Sequence, residues 1–259
     1  MKWLTHFLTS SIGKKVIMSF TGLFLISFLL VHLLGNLQLL QADSYAFNAY
    51  AAFMTSNPLI KTVSIGLYAG IILHAVQGTL LWLQNRKARG GSRYAVNRTP
   101  NQRYAARQMM ILGTLILAFL FLHMGDFWYT TKFGVLENAQ YDATTYKQIY
   151  AAAAVNPDPT LVATGNETPV EYRDLYRKVY ASFKNPWIVA AYLVGLLALA
   201  FHLWHGFQSA FQTLGLNHKK YTPLLVGLGY AFSIIVPLVY AAIPIYMYFF
   251  MDNPNYAAG

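Results

Sequence analysis

The sequence predicts an all-α membrane protein built on five spanning helices, four of them bearing histidine and the fifth peripheral to that bundle. Three observations carry this prediction. Of the 259 residues, 56% are hydrophobic and only 11% charged, against about 25% charged in ordinary soluble domains. The apolar residues gather into five runs, each longer than the roughly 20 residues an α-helix needs to cross the hydrocarbon core. The charges between the runs separate by sign, as they do in multi-pass proteins.

The runs are residues 16–40, 59–83, 108–130, 187–211 and 223–250, all in one domain covering 1–259. The first, VIMSFTGLFLISFLLVHLLGNLQLL, has no formal charge. Lys14 and Lys15 precede it, but it is too long for the core of a signal peptide and suits a spanning helix. The second follows Pro58 and ends at the basic stretch opening with Arg86; the third starts after Arg107. The fourth follows Asn185-Pro186, where proline disfavours helix before it and favours helix after it. The fifth starts at Pro223 and holds Pro237 and Pro244, which are expected to kink it.

The net charge is +10, and its distribution indicates topology, with no nucleic-acid partner. Residues 86–107 hold seven bases and no acid; Lys2, Lys14, Lys15, Lys219 and Lys220 bring that side to twelve bases. All nine acids lie on the other side or at its edge. The positive-inside rule places the N-terminus in the cytoplasm and the C-terminus outside, in a bacterial inner membrane. Aromatic residues at span ends, including Trp128, Trp187 and Tyr246, fit interfacial belts.

The outer connection, about 131–186, contains Thr168-Pro169-Val170-Glu171, which reads as a capping box with proline at the first helical position. Tyr172, Leu175, Tyr176, Val179, Tyr180 and Phe183 then recur at helical spacing. They predict an amphipathic helix on the membrane surface or against the bundle.

Five of the seven histidines lie inside the apolar runs: His32, His74, His123 and His202, one per run, and His205 one turn past the last. Ionisable residues in hydrocarbon are costly and mark function. At about 1.5 Å per residue, His32 lies about 5 Å outward of its span's midpoint and His123 about 7 Å outward. His74 and His202 each lie about 5 Å inward, and His205 about 9 Å inward. Depth therefore pairs His32 with His123 and His74 with His202. An isolated membrane histidine is ordinarily a hydrogen-bonding group between helices. Four on four helices at matched depths point instead to two haem groups, each between two imidazoles. Such iron has no open coordination position and suits electron transfer. Gly35, Gly78, Gly125 and Gly206 follow the four histidines closely, and small residues let a flat macrocycle approach the backbone, as they let helices approach. His202 and His205 compete for one ligand role, being three apart on one face. His6 and His218 lie outside the hydrocarbon and are given ordinary interfacial roles.

Several stretches together resemble the cytochrome b subunit of succinate dehydrogenase and fumarate reductase (complex II), of the kind with a single five-helix anchor and two haems b. They are Ser11-Ile12-Gly13-Lys14-Lys15 leading to Thr21-Gly22, residues 31–36 (VHLLGN), 73–78 (LHAVQG), 122–128 (LHMGDFW), 201–208 (FHLWHGFQ) and 214–218 (LGLNH). The likeness covers nearly the whole chain. It implies that the first and third histidines hold a distal haem and the second and fourth a proximal one. It also selects His202, four residues before the glycine, over His205. It further implies a flavoprotein carrying FAD and an iron–sulfur protein on the cytoplasmic face, assembly of the complex into higher oligomers, and electron exchange with a quinone, menaquinone being expected. His205, Arg107 and Lys219 are candidates to neutralise haem propionates or dock those subunits. Asp43 and Asp126 are candidates for an outer quinone site, with a solvated charge at a span end as the plainer reading of each.

Two departures limit the resemblance. Where some relatives have a glutamate tied to proton movement, two residues before the fourth histidine, this chain has Ala200. The outer connection is also longer than the family leads one to expect. Two other readings stay open from sequence: a di-haem anchor of a hydrogenase or formate dehydrogenase, and a haem-free transporter relaying protons through histidine.

Overall fold

The computed structural model describes residues 2–41, 43–89, 100–134, 136, 138–141 and 170–252. A short helix α1 (Lys2–Thr9) leads into α2 (Ser11–Asn36), which closes in a 3₁₀ turn (Leu37–Gln41). Helix α3 (Ser44–Ser56) follows, then α4 (Pro58–Arg89) and α5 (Pro100–His123). The last of these continues into a π turn (Met124–Tyr129) and a further helical turn (Thr130–Lys132). Strands β1 (Asn138–Tyr141) and β2 (Val170–Arg173) precede α6 (Leu175–Phe183), α7 (Pro186–Thr213) and α8 (Thr222–Phe249).

Five helical stretches are long and apolar enough to cross a membrane: Ser11–Gln41, Pro58–Ala88, Gln108–Lys132, Pro186–Thr213 and Thr222–Phe249. They coincide with the five predicted runs. The first starts at Ser11 rather than residue 16, and the second ends at Ala88 rather than residue 83. Helix α8 runs unbroken through Pro237 and Pro244. Helix α7 ends in a Schellman motif: Leu216 N–H donates to the Phe211 carbonyl at 3.0 Å and Gly215 N–H to that of Gln212 at 3.2 Å. Gly215 has a φ of 75°, which a residue with a Cβ rarely adopts.

The connection between the third and fourth long helices departs from the sequence reading in two ways. It holds a two-stranded antiparallel sheet, with Asn138 opposite Arg173 and Tyr141 opposite Val170, so the described chain is not wholly α. The capping box does not start a helix. Its last two residues, Val170 and Glu171, are in β2, as is Tyr172, and the first two lie outside the described residues. The amphipathic helix begins instead at Leu175, capped by Asp174, whose side chain accepts from Arg177 N–H at 3.0 Å. Pairing with β1 draws residues 170–173 into a strand before the cap, so the helical periodicity is used only from Leu175 onward. Tyr176, Val179, Tyr180 and Phe183 are its buried stripe.

The chain divides into two compact units. One comprises Met1–Val31, Thr62–Leu120 and Tyr192–Ala241; the other comprises His32–Lys61, Phe121–Ala191 and Ala242–Gly259. In the first, the helices are linked through side chains. Phe119 meets Tyr192 edge to face at 5.0 Å, and Tyr240 Oη donates to the Leu29 carbonyl at 2.7 Å. In the second, backbone approaches backbone among α3, β2, α6 and the π turn. Tyr176, Leu39, Met247, Asn48 and Pro244 are its most enclosed side chains. Asn48 Oδ1 accepts from Tyr176 N–H at 2.9 Å while its amide donates to Asp174 at 3.0 Å. Tyr180 Oη donates to the Met251 carbonyl at 3.1 Å, closing α6 over the chain's C-terminal segment.

Candidate functional site

The four run-centred histidines form two ring pairs, one in each unit. His74 of α4 and His202 of α7 have centroids 6.1 Å apart with planes at 63°. His32 of α2 and His123, the last residue of α5, have centroids 5.8 Å apart with planes at 87°. Each histidine is half-buried while the apolar residue just before it is exposed: Val31, Leu73, Leu122 and Phe201. Successive residues on a helix are about 100° apart, so this pattern turns each apolar neighbour outward and each imidazole toward its partner.

Hydrogen bonds hold the Nδ1 edge of one ring in each pair. Thr21 Oγ1 lies 3.1 Å from His74 Nδ1. The Thr21 hydroxyl has one proton, and it is directed at the carbonyls of Ile17 (2.9 Å) and Met18 (3.1 Å). With that proton on either carbonyl, its lone pair meets His74, an arrangement that puts the ring proton on Nδ1 and the lone pair on Nε2. The Met18 carbonyl also contacts the His74 ring. In the other unit, Asn36 Nδ2 donates to the His32 carbonyl at 2.7 Å and stands 3.3 Å from His32 Nδ1. His202 Nδ1 is buried without a partner. His205, three residues on, is half-buried and close enough to act electrostatically on His202.

Space beside the rings comes from glycine, though not chiefly from the glycines singled out by proximity in sequence. A Cβ on Gly22 would stand 3.3 Å from His74 Cε1, and one on Gly113 4.0 Å from His202 Cε1. A Cβ on Gly35 would meet Tyr50 Oη at 2.6 Å; burial pushes the Tyr50 phenol up from its ordinary pKa. One on Gly78 would meet Met18 Cε at 3.1 Å, and Gly125 and Gly206 have no described atom within 4 Å of theirs. Gly22 is far from His74 in sequence, and only helix pairing brings them together.

The remaining candidates are placed as follows. Lys219 is exposed in the turn between α7 and α8. Arg107 belongs to α5, but its side chain lies outside the described residues. Asp43 is buried as the N-cap of α3, where its side chain accepts from Ala46 N–H at 2.9 Å. Asp126 lies in the π turn and accepts from Lys178 Nζ. Neither acid is a solvated charge at a span end, because each has a protein donor that repays its loss of water. Sequence reading missed Lys178, Asn48 and α3 itself; Asp43-Ser44 ahead of an apolar stretch was the available signal, an N-cap.

The donor set is sparse and symmetrical. Among the described residues, no group of three or more His, Asp or Glu side chains converges as a bare metal ion would require. Two imidazoles from different helices would be enough to hold a metal that brings its remaining ligands with it in a macrocycle. Two metal–nitrogen bonds of about 2 Å, with the half-width of each ring added, put such centroids roughly 6 Å apart. The observed 6.1 and 5.8 Å fit that span. No family description, curated protein or solved structure matches this chain.

Proposed function

We propose that this chain is a di-haem cytochrome b membrane anchor that carries electrons between an iron–sulfur partner and membrane quinone, in a complex of the succinate:quinone oxidoreductase kind. The observation that carries the haem reading is the pair of neighbouring imidazoles in each unit, with ring centroids 6.1 and 5.8 Å apart. When bound, a haem with two imidazole ligands supplies one-electron transfer at an iron with no open position for substrate. The chain's own residues supply the rest. His74 and His202 hold the inner group, and His32 and His123 the outer. Thr21 fixes the His74 tautomer so that Nε2 offers its lone pair. The choice of a succinate-type complex, menaquinone, and FAD and iron–sulfur partners rests on the motif resemblance. A basic cytoplasmic face, twelve bases without an acid, suits docking of soluble subunits.

The test is the visible spectrum of the full-length chain purified from membranes with whatever accompanies it. Haem b bands, a pyridine haemochrome count of two per chain and co-purifying covalent FAD are the expected result. A colourless preparation ends the cytochrome reading and leaves the histidine-relay transporter. Haem without a flavoprotein points to the hydrogenase or formate dehydrogenase type.

A further inference from the structure

Helix α6, in the long connection between the third and fourth apolar helices, delivers a charge to one histidine pair. Lys178 Nζ donates to Asp126 Oδ1 and also to Ser182 Oγ, at 3.1 Å. The Lys178 and Asp126 side chains keep only 26% and 23% of their exposure. Asp126 lies three residues after His123, near enough for its charge to act on that ring, and its Oδ2 is buried without a hydrogen-bond partner. The adjoining Phe127 joins the same two structures, edge-on to His123 at 5.5 Å and to Phe183 of α6 at 6.1 Å. A π turn widens the helix by one residue per turn and recurs at functional positions; here it presents Asp126 and Phe127 to α6.

A carboxylate so enclosed is costly unless paired, and Lys178 is the cation α6 brings to it. We propose that Lys178 is a positioning residue for His123 that also sets the reduction potential at the His32–His123 pair, by neutralising Asp126 and holding the π turn against α6. This rests on the reading of that pair as haem ligands. The sign follows from charge. Oxidised iron carries one more positive charge than reduced iron, so an unpaired carboxylate nearby favours oxidation and an unpaired ammonium favours reduction. A unit charge about 10 Å away at an effective dielectric of about 20 shifts a one-electron equilibrium by about tenfold, or about 59 mV.

The experiment is a redox titration of the haem spectra in the full complex, comparing wild type, Lys178→Met, Asp126→Asn, the double variant and Lys178→Arg. Lys178→Met lowers the potential of the His32–His123 haem about tenfold in equilibrium terms, and Asp126→Asn raises it by a similar factor. The double variant returns near wild type, Lys178→Arg stays there, and the other haem is unmoved throughout. If Lys178→Met fails to assemble, the upward shift in Asp126→Asn and the silence of Lys178→Arg decide the matter. A haem-bearing complex with no shift, or with single-variant shifts of the same sign, overturns this proposal alone. A wild-type complex without haem b overturns the functional reading and this proposal with it.

Discussion

The two histidine pairs share a spacing but not a setting. His74 and His202 sit in a unit where helices meet through side chains, with Thr21 already holding His74 in the tautomer that leaves Nε2 free. His32 and His123 sit in a unit where α3, the strands and α6 press backbone on backbone, with an ion pair one turn from His123. Near-equal ring separations in unlike surroundings, 6.1 and 5.8 Å, mean that the spacing is not a by-product of one packing arrangement. The pairs also differ in what fixes them: a hydroxyl and glycine backbone for one, a folded cap of polar and aromatic residues for the other.

The largest expected effect breaks the comparison by deleting one pair. His202→Ala reduces bound haem from two to one per chain, measured as pyridine haemochrome, and the surviving haem is that of His32–His123. His123→Ala leaves the other one. His205→Ala leaves both, because the His202 ring is the one 6.1 Å from His74. Loss of a haem in His205→Ala with retention in His202→Ala reverses the ligand assignment.

A smaller effect tests the cap. Asn48 is almost wholly enclosed and bridges Tyr176 N–H and Asp174, tying α3 to the start of α6. Asn48→Ala orphans the buried Tyr176 donor and costs about 3 kcal/mol. In a thermal melt followed by haem spectra, the His32–His123 haem is lost first in this variant. Simultaneous loss of both haems means that α3 and α6 do not hold that pair in place.

The complementary test in the other unit is Gly195→Ala. A Cβ there would stand 2.5 Å from Phe119 Cγ and 3.0 Å from Phe119 Cβ. Phe119 Cβ is fixed to the backbone and the ring root beside it can move only with its whole side chain, so the helices must part, at about 2 kcal/mol. The His74–His202 haem is the one destabilised in the same melt. In the unit of His32 and His123, Gly35→Ala is milder, since the three atoms it meets, at 2.6 to 2.9 Å, are the far end of the Tyr50 ring.

These contrasts also mark how much was legible in the sequence. The five apolar helices were, because membrane-crossing length and the absence of charge are one-dimensional properties. The partners His32 with His123 and His74 with His202, expected from position along the runs, are the ones whose rings meet. The supports were not legible. Thr21 and Gly22 meet His74 across 53 and 52 positions of chain, and Lys178 meets Asp126 across 52, distances over which periodicity carries no information. The capping-box signal at Thr168 failed because a strand partner outcompeted the helix for residues 170–173. Asp43 looked like a span-end charge because an N-cap and a solvated acid look alike until the following helix is known.

The finest contrast lies in the Nδ1 contacts. On ligation through Nε2, the ring proton must sit on Nδ1 and seek an acceptor. Thr21 offers one as it stands, its own proton being committed to Ile17 or Met18. Asn36 presents to His32 an amide nitrogen, which donates to the His32 carbonyl at 2.7 Å and has no lone pair with which to accept the ring proton. On the proposed haem reading, the first contact would orient the ligand and raise its basicity, and the second chiefly braces the end of α2. Thr21→Val, which keeps shape and removes the oxygen, should cost about 1 kcal/mol and weaken retention of the His74–His202 haem, with Thr21→Ser restoring it. Asn36→Leu should leave haem retention at the His32–His123 pair nearly unchanged. Haem loss on dilution, followed separately for the two spectral components, measures both, and an Asn36 effect as large as that of Thr21 would erase the distinction between the pairs.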